Sequence, residues 1–290
     1  MKNEDYTEKA RAKLNLTLDV RERTDDGYHK VVTVLQSVEF GDTVTFTPDD
    51  GPLRAKTDLP FLPTGDKNLA VRAAAHFFRE TGVKPVGGLI EIKKNIPVCG
   101  GLAGGSTDAA AMLRLLNRVC GTKLGRKDLE RLAEPVGTDI PFCIAGGTAL
   151  GENRGERLTA LPDIPECGIL ILRPDFASST PELFRAIDEL KVRARPDTQG
   201  MLKAIADGDL TAVSRRIFNV FEMALPRRWR EKVEEAKSLL IENGAKGACM
   251  SGTGSAVYGI FSDEASARAA AAQIDDFECY PTKTINSQVL

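Results

Sequence analysis

Near the start of the chain, apolar Leu14, Leu16, Leu18 and Val20 alternate with Lys13, Asn15, Thr17 and Asp19. A period of two sends successive side chains to opposite faces of a strand, so the pattern predicts a strand over 12–20 with Lys13 and Asn15 on one face. After a polar loop at 23–29, residues 31–40 read as a second strand, Gly41-Asp42 as a turn and 43–47 as a third strand. The opening is therefore expected to be a β-meander. The period then changes. Residues 68–80 are helical by composition, 89–93 read as a strand, and 106–119 carry Ala109, Met112, Leu113, Leu116 and Val119 at spacings of three and four, the stripe of an amphipathic helix. Gly137-Thr138-Asp139-Ile140-Pro141 is loop-like, and Gly146-Gly147 introduces another extended stretch.

The second half reads as a strand at 169–173, a helix at 180–190 and helical segments within 201–243. Strands at 246–250 and 255–261 flank a glycine turn, followed by a helix at 264–274 and a closing strand near 279–284. Strands and helices mix without strict alternation, which favours an α+β fold over a doubly wound sheet. The polar, turn-rich stretch 151–155 marks a domain boundary, dividing the chain into 1–155 and 156–290.

Composition narrows the function. With 290 residues, 42% of them hydrophobic, the chain is long enough to bury a sizeable core. Its 39 basic and 41 acidic residues nearly cancel, removing the positive field that non-specific nucleic-acid binding needs, while local clusters of amides can still hold a small anion. No apolar run approaches the roughly 18 residues of a membrane span, so no membrane partner and a cytoplasmic location are expected. The six cysteines form no C-x-x-C pair and only two histidines accompany them, which points to free thiols in a reducing compartment. No patch demands a dimer, and a monomer or weak homodimer is expected.

The candidate chemistry lies in Ile96-Pro97-Val98-Cys99-Gly100-Gly101-Leu102-Ala103-Gly104-Gly105-Ser106-Thr107-Asp108, joining the strand ending near Lys93 to the 106–119 helix. Glycines let backbone N–H groups approach an anion, and a helix N-terminus adds unsatisfied donors and a positive dipole end. Ser106 and Thr107 are placed to cap that helix or to reach a phosphate or its Mg²⁺. A merely flexible turn would also contain glycines, but two close pairs add conformational entropy that folding must overcome without return. No Walker A loop, dinucleotide fingerprint or protein-kinase signature occurs.

This loop resembles the P-G-L-[GA]-G-S-S-[DA]-A pattern of the GHMP kinases, which phosphorylate small alcohols such as galactose, homoserine and mevalonate. Ala12-Lys13-Leu14-Asn15 and the late Met250-Ser251-Gly252-Thr253-Gly254-Ser255 resemble two further motifs of that family, in the same order. Asp26-Gly27-Tyr28-His29, Gly137 to Phe142 and Gly146 to Ala149 are similar to members that act on a cytidine diphosphate-linked polyol, and the similarity runs from about residue 12 to 261. The resemblance implies an N-terminal ribosomal-protein-S5-like α/β domain, a C-terminal ferredoxin-like α+β domain and an active site in the cleft between. It implies ATP-dependent phosphorylation of the polyol's 2-hydroxyl, in the non-mevalonate route to isoprenoid precursors, with ATP and Mg²⁺ as cofactors.

The family's roles carry over residue by residue. Asp139 would be the general base, and Lys13 would keep that carboxylate ionised and stabilise charge on the transferred group. Asn68 and Leu69 would border adenine, residues 97–107 would cradle the phosphates, and Ser106 would reach the metal. Tyr28 would stack on the cytosine while His29 hydrogen-bonds it, Phe184 would close the stack, and Asn15 and Thr180 would face the polyol. The loop from Ser251 to Gly254 is expected to pack near the first glycine loop. In isolation each residue has a plainer reading: a solvated strand lysine, a turn aspartate, a loop histidine, a core phenylalanine, a hairpin turn. Cys99-Gly100 and Ser255 depart from the family pattern, and Gly100 is expected to loosen the loop. The alternatives are a family member acting on another alcohol, of homoserine or mevalonate type, and a catalytically silent nucleotide-binding homologue.

Overall fold

The two longest strands open the fold. In the computed structural model, which describes residues 6–286, they are β1 (Tyr6–Arg23) and β2 (His29–Asp49). Next come β3 (Arg54–Thr57), α1 (Leu69–Thr81), β4 (Gly87–Lys93), α2 (Gly104–Val119), α3 (Arg126–Ala133) and α4 (Ile140–Ala145). Then β5 (Thr148–Glu152), β6 (Arg157–Ala160), β7 (Gly168–Arg173), α5 (Thr180–Glu189), α6 (Thr198–Ala206) and α7 (Leu210–Ser214) follow. The chain continues with β8 (Phe218–Asn219), α8 (Phe221–Ala224), α9 (Arg227–Glu242), β9 (Gly247–Met250), β10 (Val257–Phe261), α10 (Glu264–Ala271) and β11 (Glu278–Lys283).

The turn expected at Gly41-Asp42 does not form, because β2 runs through it for 21 residues. Gly41 packs against the carbonyl of Ala10, where an added β-carbon would lie 2.4 Å from the oxygen. Asp42 is fully buried and accepts from the backbone N–H groups of Asn95 (2.5 Å) and Ile96 (2.7 Å). A close approach and a buried anchor, rather than turn chemistry, explain the pair, and the expected meander becomes one hairpin of long strands.

The length of β2 has a use. Thr43–Asp49 pairs antiparallel with β4, and Thr33–Gln36 pairs antiparallel with β5. The seven-stranded sheet has the order β3-β4-β2-β1-β8, with β5 on β2 and β6 on β5. A second sheet, β11-β7-β10-β9, is antiparallel at every pairing. Its strands come along the chain in the order β7, β9, β10, β11, with α9 leading into β9, α10 joining β10 to β11, and α5 to α8 with β8 inserted after β7; apart from that insertion this is the ferredoxin-like arrangement expected of the C-terminal half.

Packing groups the chain otherwise than as 1–155 and 156–290. One compact unit takes β1 up to Ala12 together with 41–96 and 103–145; the other takes 13–40, 97–102 and the chain from Gly146 onward. Phe46, Phe77, Ile90, Met112 and Leu116 are core residues of the first, and Leu170, Leu172, Val233, Leu240 and Phe261 of the second. Among the described residues, no helix is long and apolar enough to cross a membrane.

In the first unit a buried lysine carries two carboxylates: the Lys94 ammonium is 2.8 Å from Asp108 Oδ2 and also bonded to Asp42. Burial pushes the Asp108 carboxyl from 3.8 up to about 7, against the pull of Lys94. The folded protein thus keeps a proton that the unfolded chain releases near 3.8, so raising the pH between those values costs stability. Asp108→Asn removes this titration. Urea unfolding at pH 5 and pH 8 should show a smaller loss of stability with rising pH in the variant than in the natural chain; equal losses would contradict the assignment.

Candidate active site

The alternation in β1 brings Lys13 and Asn15 together as expected. Lys13 is only 5% exposed, and its ammonium donates to Asn15 Oδ1 (2.7 Å) and to the carbonyl of Gly101 (3.1 Å). Both acceptors are neutral, so they satisfy hydrogen bonds without matching the charge, and a buried cation of this kind favours an anion beside it. Asn15 has an internal use: its Nδ2 donates to Thr33 Oγ1 (2.8 Å), whose hydroxyl donates to the carbonyl of Thr17 (2.6 Å). The amide proposed for the polyol side is therefore engaged from both ends in aiming Lys13.

Residues 97–102 lie on the second glycine loop, as expected. At Gly101, φ is 75° and an added β-carbon would sit 2.1 Å from the carbonyl oxygen of Ser251. Backbone bonds tie the turns together, from Ala256 N to Gly100 O (3.1 Å) and from Ser255 N to Cys99 O (3.3 Å), and the Ser251 hydroxyl donates to Gly101 O (3.0 Å). Gly100 is buried and pinned rather than loose. Cys99 and Ala103 take left-handed conformations, at φ 57° and 60°, which cost a non-glycine residue about 1–2 kcal/mol each. Such strain clusters where a ligand is bound.

Helix α2 begins at Gly104, earlier than the periodicity suggested, and neither Ser106 nor Thr107 caps it. Its N-cap is Ala103, which offers no side-chain hydrogen bond, and the Thr107 hydroxyl donates back to Gly104 O (2.7 Å). The first intrahelical bond comes from Thr107 N to Ala103 O (2.9 Å). The N–H groups of Gly104, Gly105 and Ser106 are thus left at the positive end of the helix without intrahelical partners, the donor set an anion takes up. Ser106 is half-buried within that first turn, where its hydroxyl suits a metal that rides on phosphate oxygens. Leu69 Cδ1 would lie 3.3 Å from a β-carbon at Gly105, so it borders this turn. Asn68 caps α1, accepting from Ala70 N (2.9 Å) and donating to Pro63 O (2.9 Å).

Asp139 is half-exposed, immediately before α4. Its carbonyl accepts from Cys143 N (3.1 Å), so the segment expected to be a loop through Pro141 turns helical at Ile140. Among the described residues no group of three His, Cys, Asp or Glu is placed to hold a metal ion.

Two of the residues expected to hold the cytosine pack on each other. Phe184 stacks on His29, with centroids 4.9 Å apart and planes at 21°, and meets Phe221 edge-on at 5.0 Å. His29 Nε2 is 2.6 Å from Asp188 Oδ1. Tyr28 is 57% exposed, with the Arg154 guanidinium 3.9 Å from its ring centroid. Thr180 is exposed and its hydroxyl lies 3.2 Å from that of Thr253, which ties it to the second glycine turn. Asp188 and Arg154 were missed in the sequence. Asp188 falls four residues after Phe184 and so shares its helix face, whereas Arg154 sits in the stretch read only as a boundary.

A strand lysine against a glycine turn, a helix with free N-terminal N–H groups next along the chain and a ferredoxin-like second sheet are features of a class of small-molecule kinase, and the chain belongs to the GHMP kinase family. The family model for the GHMP kinases N terminal domain matches residues 68–147, and that for the GHMP kinases C terminal matches 201–279. The chain is 40% identical to the 4-diphosphocytidyl-2-C-methyl-D-erythritol kinase of Caldicellulosiruptor saccharolyticus, over 93% of this chain and 92% of the relative. It is 41% identical to the enzyme of that name from Pelotomaculum thermopropionicum, over 97% and 98%. A crystal structure of 4-(cytidine 5'-diphospho)-2C-methyl-D-erythritol kinase superposes with a TM-score of 0.79 at 30% identity, covering 96% of this chain and 99% of that one. The homoserine kinase of Cytophaga hutchinsonii, at 18% identity and a TM-score of 0.75 over 99% and 96% of the two chains, shares the fold.

The two glycine pairs respond differently to a methyl group. Gly101→Ala meets a backbone oxygen at 2.1 Å in a left-handed conformation, whereas Gly105→Ala meets only the tip of Leu69 at 3.3 Å. Gly101→Ala should lose about 2 kcal/mol or more in urea unfolding and weaken ATP binding at least tenfold by calorimetry, while Gly105→Ala changes stability by under about 1 kcal/mol. Equal effects would contradict the packing described.

Proposed function

We propose that this chain transfers the γ-phosphoryl group of ATP to the 2-hydroxyl of 4-diphosphocytidyl-2-C-methyl-D-erythritol. The observation that carries the reading is the buried Lys13 ammonium held against the carbonyl of Gly101, a fixed positive charge on the turn that precedes an open helix N-terminus. Likeness to relatives bearing that enzyme's name, over nearly the whole chain, supports the choice of acceptor.

The phosphates would rest on the N–H groups of Gly104, Gly105 and Ser106, with Leu69 toward adenine. Mg²⁺, held mainly by phosphate oxygens with the Ser106 hydroxyl, would neutralise charge on the polyphosphate. Asp139 would take the proton of the acceptor hydroxyl as its oxygen bonds to the γ-phosphorus and the bond to the bridging oxygen of ADP breaks. Lys13 would stabilise the negative charge spread over the transferring group, fixed in place so that no reorganisation is needed during reaction. Tyr28, His29 and Phe184 would hold the cytosine, with Asp188 orienting the imidazole, and Thr180 would face the polyol.

Two variants measured with Mg-ATP and the cytidine substrate separate these roles. Asp139→Asn should lower kcat by about 10² or more while ATP binding persists, and unchanged turnover would remove Asp139 from the chemistry. Tyr28→Ala should raise KM for the cytidine substrate about tenfold or more, in line with stacking worth roughly 1–3 kcal/mol. A rise in KM confined to ATP would assign Tyr28 to the nucleotide instead.

A further inference from the structure

We infer that Asn219 is a positioning residue for this reaction, holding the second glycine turn so that the first turn and Lys13 are correctly placed. The inference rests on the phosphoryl-transfer reading above. Asn219 ends the two-residue strand β8, pairs in register with Leu18 of β1 and is 3% exposed. Its Nδ2 donates to the carbonyls of Met250 (2.8 Å) and Gly252 (2.7 Å), and its Oδ1 accepts from Phe221 N (3.0 Å). Carbonyls only accept and the N–H only donates, so the partners fix the amide's orientation.

The two carbonyls flank Ser251, which is fully buried. One amide group thus spans the residue whose hydroxyl donates to Gly101 O at 3.0 Å and whose own carbonyl leaves no space for a β-carbon at Gly101. The oxygen of Gly101 is also the one that accepts from Lys13. An unbroken path of short contacts therefore runs from Asn219 through Ser251 and Gly101 to the Lys13 ammonium. Without the amide, the Gly252 carbonyl loses its donor and that of Met250 keeps only the weak Cys249 thiol at 3.5 Å, so the turn must shift to find water or another partner. That shift moves Gly101. Misplacement of a catalytic charge on the scale of 1 Å costs about 10²-fold in rate. Asn219 touches neither of the bases that Tyr28 and Leu69 would hold, so its effect falls on kcat.

The test compares Asn219→Ala, Ser251→Ala and the double variant, each assayed well below its unfolding midpoint and normalised to ATP-binding sites. Each single change should lower kcat by 10- to 100-fold with KM for the cytidine substrate within about twofold. The double variant should be no slower than the slower single one, because both act through Gly101. Full kcat in folded Asn219→Ala, or losses that multiply in the double variant, would overturn the inference. Should Asn219→Ala fail to fold, Asn219→Ser keeps one donor and should give an intermediate loss; full activity in it would be equally contrary. Hydrogen exchange provides a readout apart from activity: Asn219→Ala should speed exchange at Ser255 and Ala256, whose N–H groups bond to Cys99 and Gly100 across the two turns, and unchanged protection would count against the coupling. If the natural chain fails to phosphorylate the cytidine substrate, the functional reading fails while this exchange result still decides the coupling.

Discussion

The backbones of Gly101 and Ser251 meet with no room for a β-carbon between them, and bonds from Ser255, Ala256, Ser251 and Asn219 hold the two turns at that approach. One partner lies in a loop between a strand and a helix, and the other lies in the turn between β9 and β10. Their contact makes the glycine loop part of the ferredoxin-like half, although its next residue, Ala103, packs with the other unit. It also turns the carbonyl of Gly101 toward Lys13. A rigid backbone floor beneath a buried ammonium is what electrostatic preorganisation requires, since charges fixed before reaction need not reorient during it.

Two buried lysines illustrate how partner choice separates structure from chemistry. Lys94 faces Asp42 and Asp108, so its charge is more than matched and it serves as an anchor between β2, the end of β4 and α2. Lys13 faces an amide oxygen and a carbonyl, so it keeps its charge available. Removing Lys94 from the first cluster would leave two buried carboxylates without their cation, whereas the acceptors of Lys13 leave its charge unmatched.

Periodicity made the faces of the elements legible in the sequence. The alternation from Lys13 to Val20 identified the strand and paired Lys13 with Asn15, and the apolar stripe from Ala109 to Val119 located α2. Composition could not distinguish Gly41-Asp42 as a close approach and buried anchor from the same dipeptide as a turn, since both uses favour a small residue followed by a carboxylate. The left-handed cap at Ala103 escaped because alanine carries no cap signal, and the hydroxyls of Ser106 and Thr107 competed for that reading. Asp188, Arg154 and Asn219 act on residues far away along the chain, and patterns within a short window carry no information about such partners. β8 is too short to show any period, so an asparagine that holds the second glycine turn looked like part of a helical stretch. The resemblance to GHMP kinases supplied what local pattern could not, namely the expectation that the two glycine turns pack together.

The most direct test of the functional claim is ADP release by the purified chain with Mg-ATP, offered 4-diphosphocytidyl-2-C-methyl-D-erythritol, homoserine and mevalonate in separate reactions. The account predicts turnover with the cytidine compound alone; turnover with homoserine or mevalonate instead, or with none of the three, would contradict it.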